Sequence, residues 1–229
     1  MRRLALFLIL AVALAAGCAT VPQPQVPLEP GARVETLAAT VSLSVKTPDG
    51  STGGNGYLLY HRPDRFHMVM LTPFGTTALE FFAAGERITI LLPSKGQAYV
   101  GTFADLPAKG GLQGWRMMQW VVEGSPLYRP EAAGRTEEQT DDGGVTLATY
   151  GPDGLLERKR SARGEVIYRN YRSLGGVPFP AQVEFSDSHG VRVKIAFDEP
   201  EVNAPLDESA LTPALEGMTV MPLAGLKGL

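Results

Sequence analysis

The amino-acid sequence predicts a mainly β chain with one helix, built as a single large curled antiparallel sheet or barrel of about 11 short strands. Three observations point there. Apolar and polar residues alternate with a period of two in segment after segment, glycine-bearing turn dipeptides separate many of these segments, and one stretch alone shifts to helical spacing.

The alternation is cleanest at the two ends of the folded part. In Thr40 to Lys46, Val41, Leu43 and Val45 face one way while Ser42, Ser44 and Lys46 face the other. Thr47-Pro48-Asp49-Gly50 then reads as a turn, and Gly56 to Tyr60 as the returning strand. Val191, Val193, Ile195 and Phe197 alternate as strictly with Arg192, Lys194, Ala196 and Asp198. Such a pattern means a strand with one wet face. Further strands are predicted at Arg65 to Leu71, Thr77 to Ala83, Arg87 to Leu92 and Gln97 to Phe103. Others follow at Arg135 to Asp141, Val145 to Tyr150, Leu155 to Ser161, Val166 to Arg172 and Ala181 to Asp187. Asp142-Gly143, Asp153-Gly154 and His189-Gly190 place glycine where hairpins need a positive φ, and Arg163-Gly164 is similar.

Leu112 to Glu123 breaks the pattern. Arg116, Gln119 and Glu123 form a narrow polar stripe on an otherwise apolar helix, which Gly124 and Pro126 end. A helix apolar around most of its circumference is buried on several sides or touches something greasy, and a sheet curling around it would accommodate it. The alternation also selects a candidate apolar cavity. Phe66, Met68 and Met70 share one strand face, as do Leu79 and Phe81, and Ile88, Ile90 and Leu92; Trp115, Met118, Trp120 and Val122 come from the helix. Methionine suits a surface that accepts variable apolar shapes. An ordinary packed core would use the same residues, and for any one of them that is the simpler reading.

The front of the chain has a secretion layout. Arg2 and Arg3 precede an apolar run from Leu4 to Leu14, and small residues follow at Ala15, Ala16 and Gly17. The run is too short for a bilayer core of about 30 Å, so it reads as a signal peptide over residues 1–17. Leu14-Ala15-Ala16-Gly17-Cys18 looks like a lipobox, with cleavage before a lipidated Cys18. Cys18 is the single cysteine, so lipidation gives it a purpose that a disulfide cannot. Two or three acyl chains anchor stably where one is marginal. Ala19 is not the aspartate that favours inner-membrane retention, which leans toward the outer membrane. Residues 18–30 then form a tether with prolines at 22, 24, 27 and 30, which reaches roughly 40 Å if extended at about 3.1 Å per residue. Residues 31–229 form one domain.

Composition excludes several classes. A formal charge of −3 leaves no nucleic-acid footprint. His61, His67 and His189 lack metal-ligand spacing and no cysteine assists them, so neither a metal nor a cofactor is expected. No nucleophile elbow, phosphate loop or dinucleotide fingerprint occurs, and Gly53-Gly54-Asn55-Gly56 enters a strand rather than a helix. The chain reads as a non-enzyme. The basic stretch Glu157 to Arg160, with Arg163, Arg169 and Arg172, could meet anionic headgroups or an acidic partner, and a solvated hairpin face is the simpler reading. Glu137, Glu138, Asp141 and Asp142 read as a polar turn.

Met70-Leu71-Thr72-Pro73-Phe74-Gly75-Thr76-Thr77-Ala78-Leu79-Glu80-Phe81 resembles the stretch of the LolB family in which a Pro-Leu-Gly loop tip joins two strands. Met118-Gln119-Trp120-Val121-Val122-Glu123-Gly124-Ser125-Pro126 is similar to that family's helix ending, and Asn203 to Val220 to the closing segment of the related LolA carriers. Phe74 stands where the receptor has leucine, and the proline-rich tether and the tail beyond Val220 depart from the family's compact form. The resemblance implies a half-open antiparallel barrel with one or more helices plugging its mouth. It also implies an apolar cavity for the acyl chains of lipoproteins and a membrane-contact loop at Pro73, Phe74 and Gly75. The implied partners are a soluble periplasmic LolA-like carrier and, through Cys18, the periplasmic face of the outer membrane; a monomer is expected. Two alternatives stay open: another envelope lipid or glycolipid as cargo, or a purely structural envelope lipoprotein.

Overall fold

The computed structural model describes residues 27–106, 126–141, 144–162 and 164–226. Thirteen strands form one sheet. In chain order they are β1 (Thr36–Thr47), β2 (Gly50–His61), β3 (Arg65–Leu71), β4 (Thr77–Ala84), β5 (Arg87–Leu92) and β6 (Gln97–Thr102). After these come β7 (Thr136–Asp141), β8 (Gly144–Tyr150), β9 (Leu156–Ser161), β10 (Gly164–Leu174), β11 (Val177–Ser186), β12 (Arg192–Val202) and β13 (Thr219–Pro222). The spatial order is β13-β6-β5-β4-β3-β2-β1-β12-β11-β10-β9-β8-β7. Sequential hairpins build each half, and β1 joins the halves by pairing with both β2 and β12. All pairings are antiparallel except β13 with β6.

This corrects the sequence reading in two respects and leaves a third, the helix, outside the described residues. The sheet is not closed into a barrel: β7 and β13 are its two edges. It has thirteen strands rather than about 11: each of the twelve predicted segments contributes a strand, and β13 is an addition to them. No α-helix is present among the described residues, only single 3-10 turns, and the predicted helix at 112–123 lies outside them. Strands β1 and β2 also run longer than expected. The glycine-rich segment taken as an entry to β2 is β2 itself, pairing Gly53, Gly54 and Gly56 with Ser44, Leu43 and Val41. Glycine is needed there because the strands approach closely. A Cβ on Gly56 would lie 1.9 Å from the carbonyl oxygen of Val69, and one on Gly53 would lie 2.6 Å from that of Leu43.

The predicted alternation positions the core. Inward residues of β1–β6 and β8–β12 join one cluster that includes Leu37, Val41, Leu58, Met68, Phe81, Ile90, Val166, Val183, Ile195 and Phe197. The outer face carries a second, smaller cluster of Phe82, Leu91 and Ala98, covered by Leu215 and Met218. That cover is a strap formed by residues 203–222. Asn203, at φ 60°, turns the chain out of β12. Its side-chain oxygen accepts from Glu35 N at 2.7 Å and its amide donates to Arg33 O at 2.9 Å. Farther along, Glu208 pairs with Arg65, and His67 Nδ1 lies 2.7 Å from Ala210 O. The strap ends by adding β13 beside β6.

Candidate functional site

The inner face of β3, β4 and β5 holds eight of the residues that alternation selected. Register sets Met68 opposite Phe81, Met70 opposite Leu79, and Phe81 opposite Ile90. Phe66 and Phe81 meet edge to face with centroids 6.3 Å apart. Phe66, Met68, Phe81, Ile88, Ile90 and Leu92 are buried in the main cluster, and Met70 and Leu79 pack against it. Trp115, Met118, Trp120 and Val122 lie outside the described residues. The inner side of β3–β5 is therefore a continuous, largely buried apolar layer.

Beyond the end of this face is the β3–β4 turn. Thr72-Pro73-Phe74-Gly75 closes with Gly75 N donating to Thr72 O at 2.9 Å, with proline in the second position where its fixed φ is preorganised. Gly75 adopts φ 80°, which lets the strand return to the ladder. Thr72 and Thr76 add a main-chain bond of 2.8 Å and a hydroxyl–hydroxyl bond of 2.8 Å. The tip is thus held from its base, and Phe74 is 93% exposed. Nothing in its own hairpin covers the ring.

The other half of the inner face is different in character. Tyr150, Tyr168 and Tyr171 lie there together with Lys159, whose side chain is buried at 1% exposure. The Lys159 ammonium sits 5.8 Å from the centroid of the Tyr168 ring. Tyr150 donates to Pro126 O at 3.1 Å and Tyr171 to Leu156 O at 2.7 Å. Burial pushes the Tyr150 hydroxyl up to about 12 and raises Tyr168 and Tyr171 as well, so all three stay neutral.

Sequence reasoning missed Lys159, which it placed on a solvated basic face. The reason is a β-bulge. Tyr150 pairs with Leu156 but Thr149 pairs with Arg158, so Glu157 is skipped and the phase of β9 flips. Arg158 and Arg160 then do face outward, where both bond Glu165. Their guanidiniums hold the Glu165 carboxyl below the usual carboxylate range. Glu137, read as part of a polar turn, lies within β7 and pairs with Arg129 at 2.6 Å. His67, on the outer face, stacks on Phe82 at 3.8 Å and bonds Glu80 at 3.0 Å. Among the described residues no cluster of His, Cys, Asp or Glu is arranged to hold a metal ion, and no helix is long and apolar enough to cross a membrane.

An apolar-faced sheet of this topology with an exposed loop tip is the setting in which a family match becomes informative. Residues 36–199, more than half of the chain, match the family described as outer membrane lipoprotein LolB. The chain belongs to the LolB family. Its fold is similar to that of a LolA superfamily protein from Nitrosomonas europaea, with a TM-score of 0.52 at 11% identity, covering 81% of this chain and 92% of that one. It is also similar to a DUF1329 family protein from Desulfovibrio piger, with a TM-score of 0.53 at 11% identity, covering 78% and 92%. At such identities the likeness is one of fold. No curated protein sequence matches the chain. The LolB match begins at the first residue of β1 and ends inside β12, so the strap and β13 lie beyond it.

Proposed function

We propose that this LolB-family chain is an acceptor of lipoproteins, anchored by lipid on Cys18 at the periplasmic face of the outer membrane. It receives acyl chains from a soluble LolA-like carrier on the inner face of its sheet, and it passes them to the bilayer through the Phe74 tip. The observation that supports this best is the exposed aromatic ring on a braced turn, adjoining a continuous apolar face. Burying a Phe ring in the bilayer is worth about 1.5–3 kcal/mol, enough to dock the tip and too little to trap it. Direction comes from differential affinity of the chains for carrier, acceptor and bilayer. On this reading the protein performs no catalysis.

The test is transfer of a lipoprotein from a loaded carrier to vesicles bearing this protein. Phe74→Glu is expected to reduce delivery by about tenfold or more, because a carboxylate at the tip opposes insertion. Unchanged delivery by a folded Phe74→Glu protein would remove the tip from the mechanism.

A further inference from the structure

We propose that the tip end of the sheet docks on anionic phospholipid: Lys46 and Arg192, side by side on the outer face, hold headgroup phosphates of the bilayer that Phe74 enters. This rests on the reading above that Phe74 meets the membrane, and it adds the kind of lipid.

Register sets the pair. Lys46, near the end of β1, stands directly opposite Arg192, the first residue of β12. Both are exposed, and neither forms an ion pair among the described residues. Like charges facing each other across two strands destabilise a sheet. The same cross-strand row continues to Ser51 of β2 on one side and to Ser186 of β11 on the other. Two cations bracketed by two hydroxyls suit a phosphate, whose oxygens accept from all four. The carboxylates around them are largely engaged. Glu165, next in the row, is held by Arg158 and Arg160, and Glu184 lies 3.8 Å from Lys194. Asp187 accepts from the main-chain N–H groups of His189 and Val191 within its own turn. Asp49, in the turn beyond Lys46, is exposed, and against two cations it leaves an excess of positive charge.

The row also lies close to the height of the tip. Met70 is opposite Gly56; Phe74 comes four residues after the one, and Ser51 five residues before the other. On the far flank of the tip, Lys95 of the β5–β6 turn and Glu216 of the strap offset each other in net charge. The end from which the tether leaves is different in sign: Glu29, Glu35, Glu199 and Glu201 are exposed there, against Arg33 and Arg62. An anionic bilayer therefore attracts the tip end and repels the tether end, which turns Phe74 toward lipid. An acidic protein surface offers the same charge, and the shared height with Phe74 is what favours lipid.

With Cys18, the single cysteine, acylated in the full lipidated chain, Phe74→Cys offers one thiol for an NBD label whose emission rises in lipid. The labelled protein is reconstituted in vesicles of phosphatidylcholine alone, or of phosphatidylcholine mixed with phosphatidylglycerol. The ratio of docked to undocked tip is expected to be about tenfold or more higher on the mixed vesicles, the size of two cations near an anionic surface, and to fall as salt rises. Lys46→Gln with Arg192→Gln should abolish this preference and leave docking on phosphatidylcholine as before. Arg87→Gln with Arg172→Gln makes the same change in net charge at the opposite end and should keep the preference. Equal docking on both compositions before the charge substitutions overturns the proposal. So does a preference that survives in the first double variant or is lost in the second. If the first double variant slows unloading of a loaded carrier onto phosphatidylcholine vesicles, the pair serves the carrier, and the proposal falls. No change in NBD emission on either composition overturns the Phe74 reading itself.

Discussion

Phe74 and Phe81 flank the same hairpin, yet one is 93% and the other 1% exposed. The consequences separate cleanly. Phe74→Glu should leave stability within about 0.5 kcal/mol, as surface substitutions do, while Phe81→Ala should cost about 3–5 kcal/mol by opening a cavity. Chemical denaturation of both variants checks this pair. Glu165 offers a pH signature. Its carboxyl is depressed in the folded state by Arg160 and Arg158, so its contribution is fully present at neutral pH and is lost as pH falls through the depressed value. Glu165→Gln should therefore destabilise by roughly 0.5–1 kcal/mol at pH 7, and the difference should vanish in acid. At this scale the inner-face side chains were legible because a period of two assigns faces directly. Lys159 was not, because the bulge opposite Tyr150 is set by pairing between β8 and β9, and a single strand's pattern does not reveal it.

Among the elements, β2 shows how backbone approach can outweigh propensity. Glycine is a poor strand former, so Gly53 to Gly56 reads locally as a loop. In the fold glycine is required at 53 and 56, where the carbonyls of Leu43 and Val69 occupy the space a side chain would need. Gly56→Ala should cost at least about 2 kcal/mol by forcing β3 away. Gly54→Ala meets the flexible end of Met70 at 3.3 Å and the Leu71 carbonyl oxygen at an ordinary 3.6 Å, and should cost far less, which thermal unfolding of the two variants will show. The strap was legible only as a resemblance from Asn203 onward. Its last strand escaped because four residues ending in proline give no periodic signal, and because β13 finds its partner β6 by a long parallel return. Asn203→Ala should weaken the strap by about 1–3 kcal/mol, since it removes the bonds to Arg33 and Glu35 and leaves a side chain less tolerant of φ 60°.

For the whole molecule, the topology sets the two proposed membrane contacts apart. Glu29 bonds Gly176 at the β10–β11 turn, the end of the sheet where β1 begins and β12 finishes. Phe74 lies beyond the last residue of β3, toward the opposite end. Strand β3 alone spans roughly 23 Å, and the segment from Cys18 to Pro27 reaches only about 28 Å when extended. On the proposed reading, anchor and tip meet one bilayer only if the chain between Cys18 and Pro27 keeps a reach comparable with the length of β3. Deleting residues 19–25 should then suppress delivery to the membrane that holds the anchor, while a Gly-Ser replacement of equal length should preserve much of it. The mainly β class and the order of twelve strands were legible in the sequence. The open edges at β7 and β13 followed from no strand's own pattern, and only the resemblance implied a half-open form, because whether a sheet closes depends on curvature summed over all its strands.

The central claim is that lipoprotein acyl chains occupy the inner face. It is tested most directly with a photo-cross-linking side chain placed at Leu79, which packs on the inner cluster, and at Tyr57, which is 52% exposed. The account predicts an adduct with a lipidated lipoprotein at position 79 and none at 57, and no adduct at either position with the same lipoprotein lacking its acyl chains. Equal labelling at both positions, or labelling at 57 alone, would contradict it.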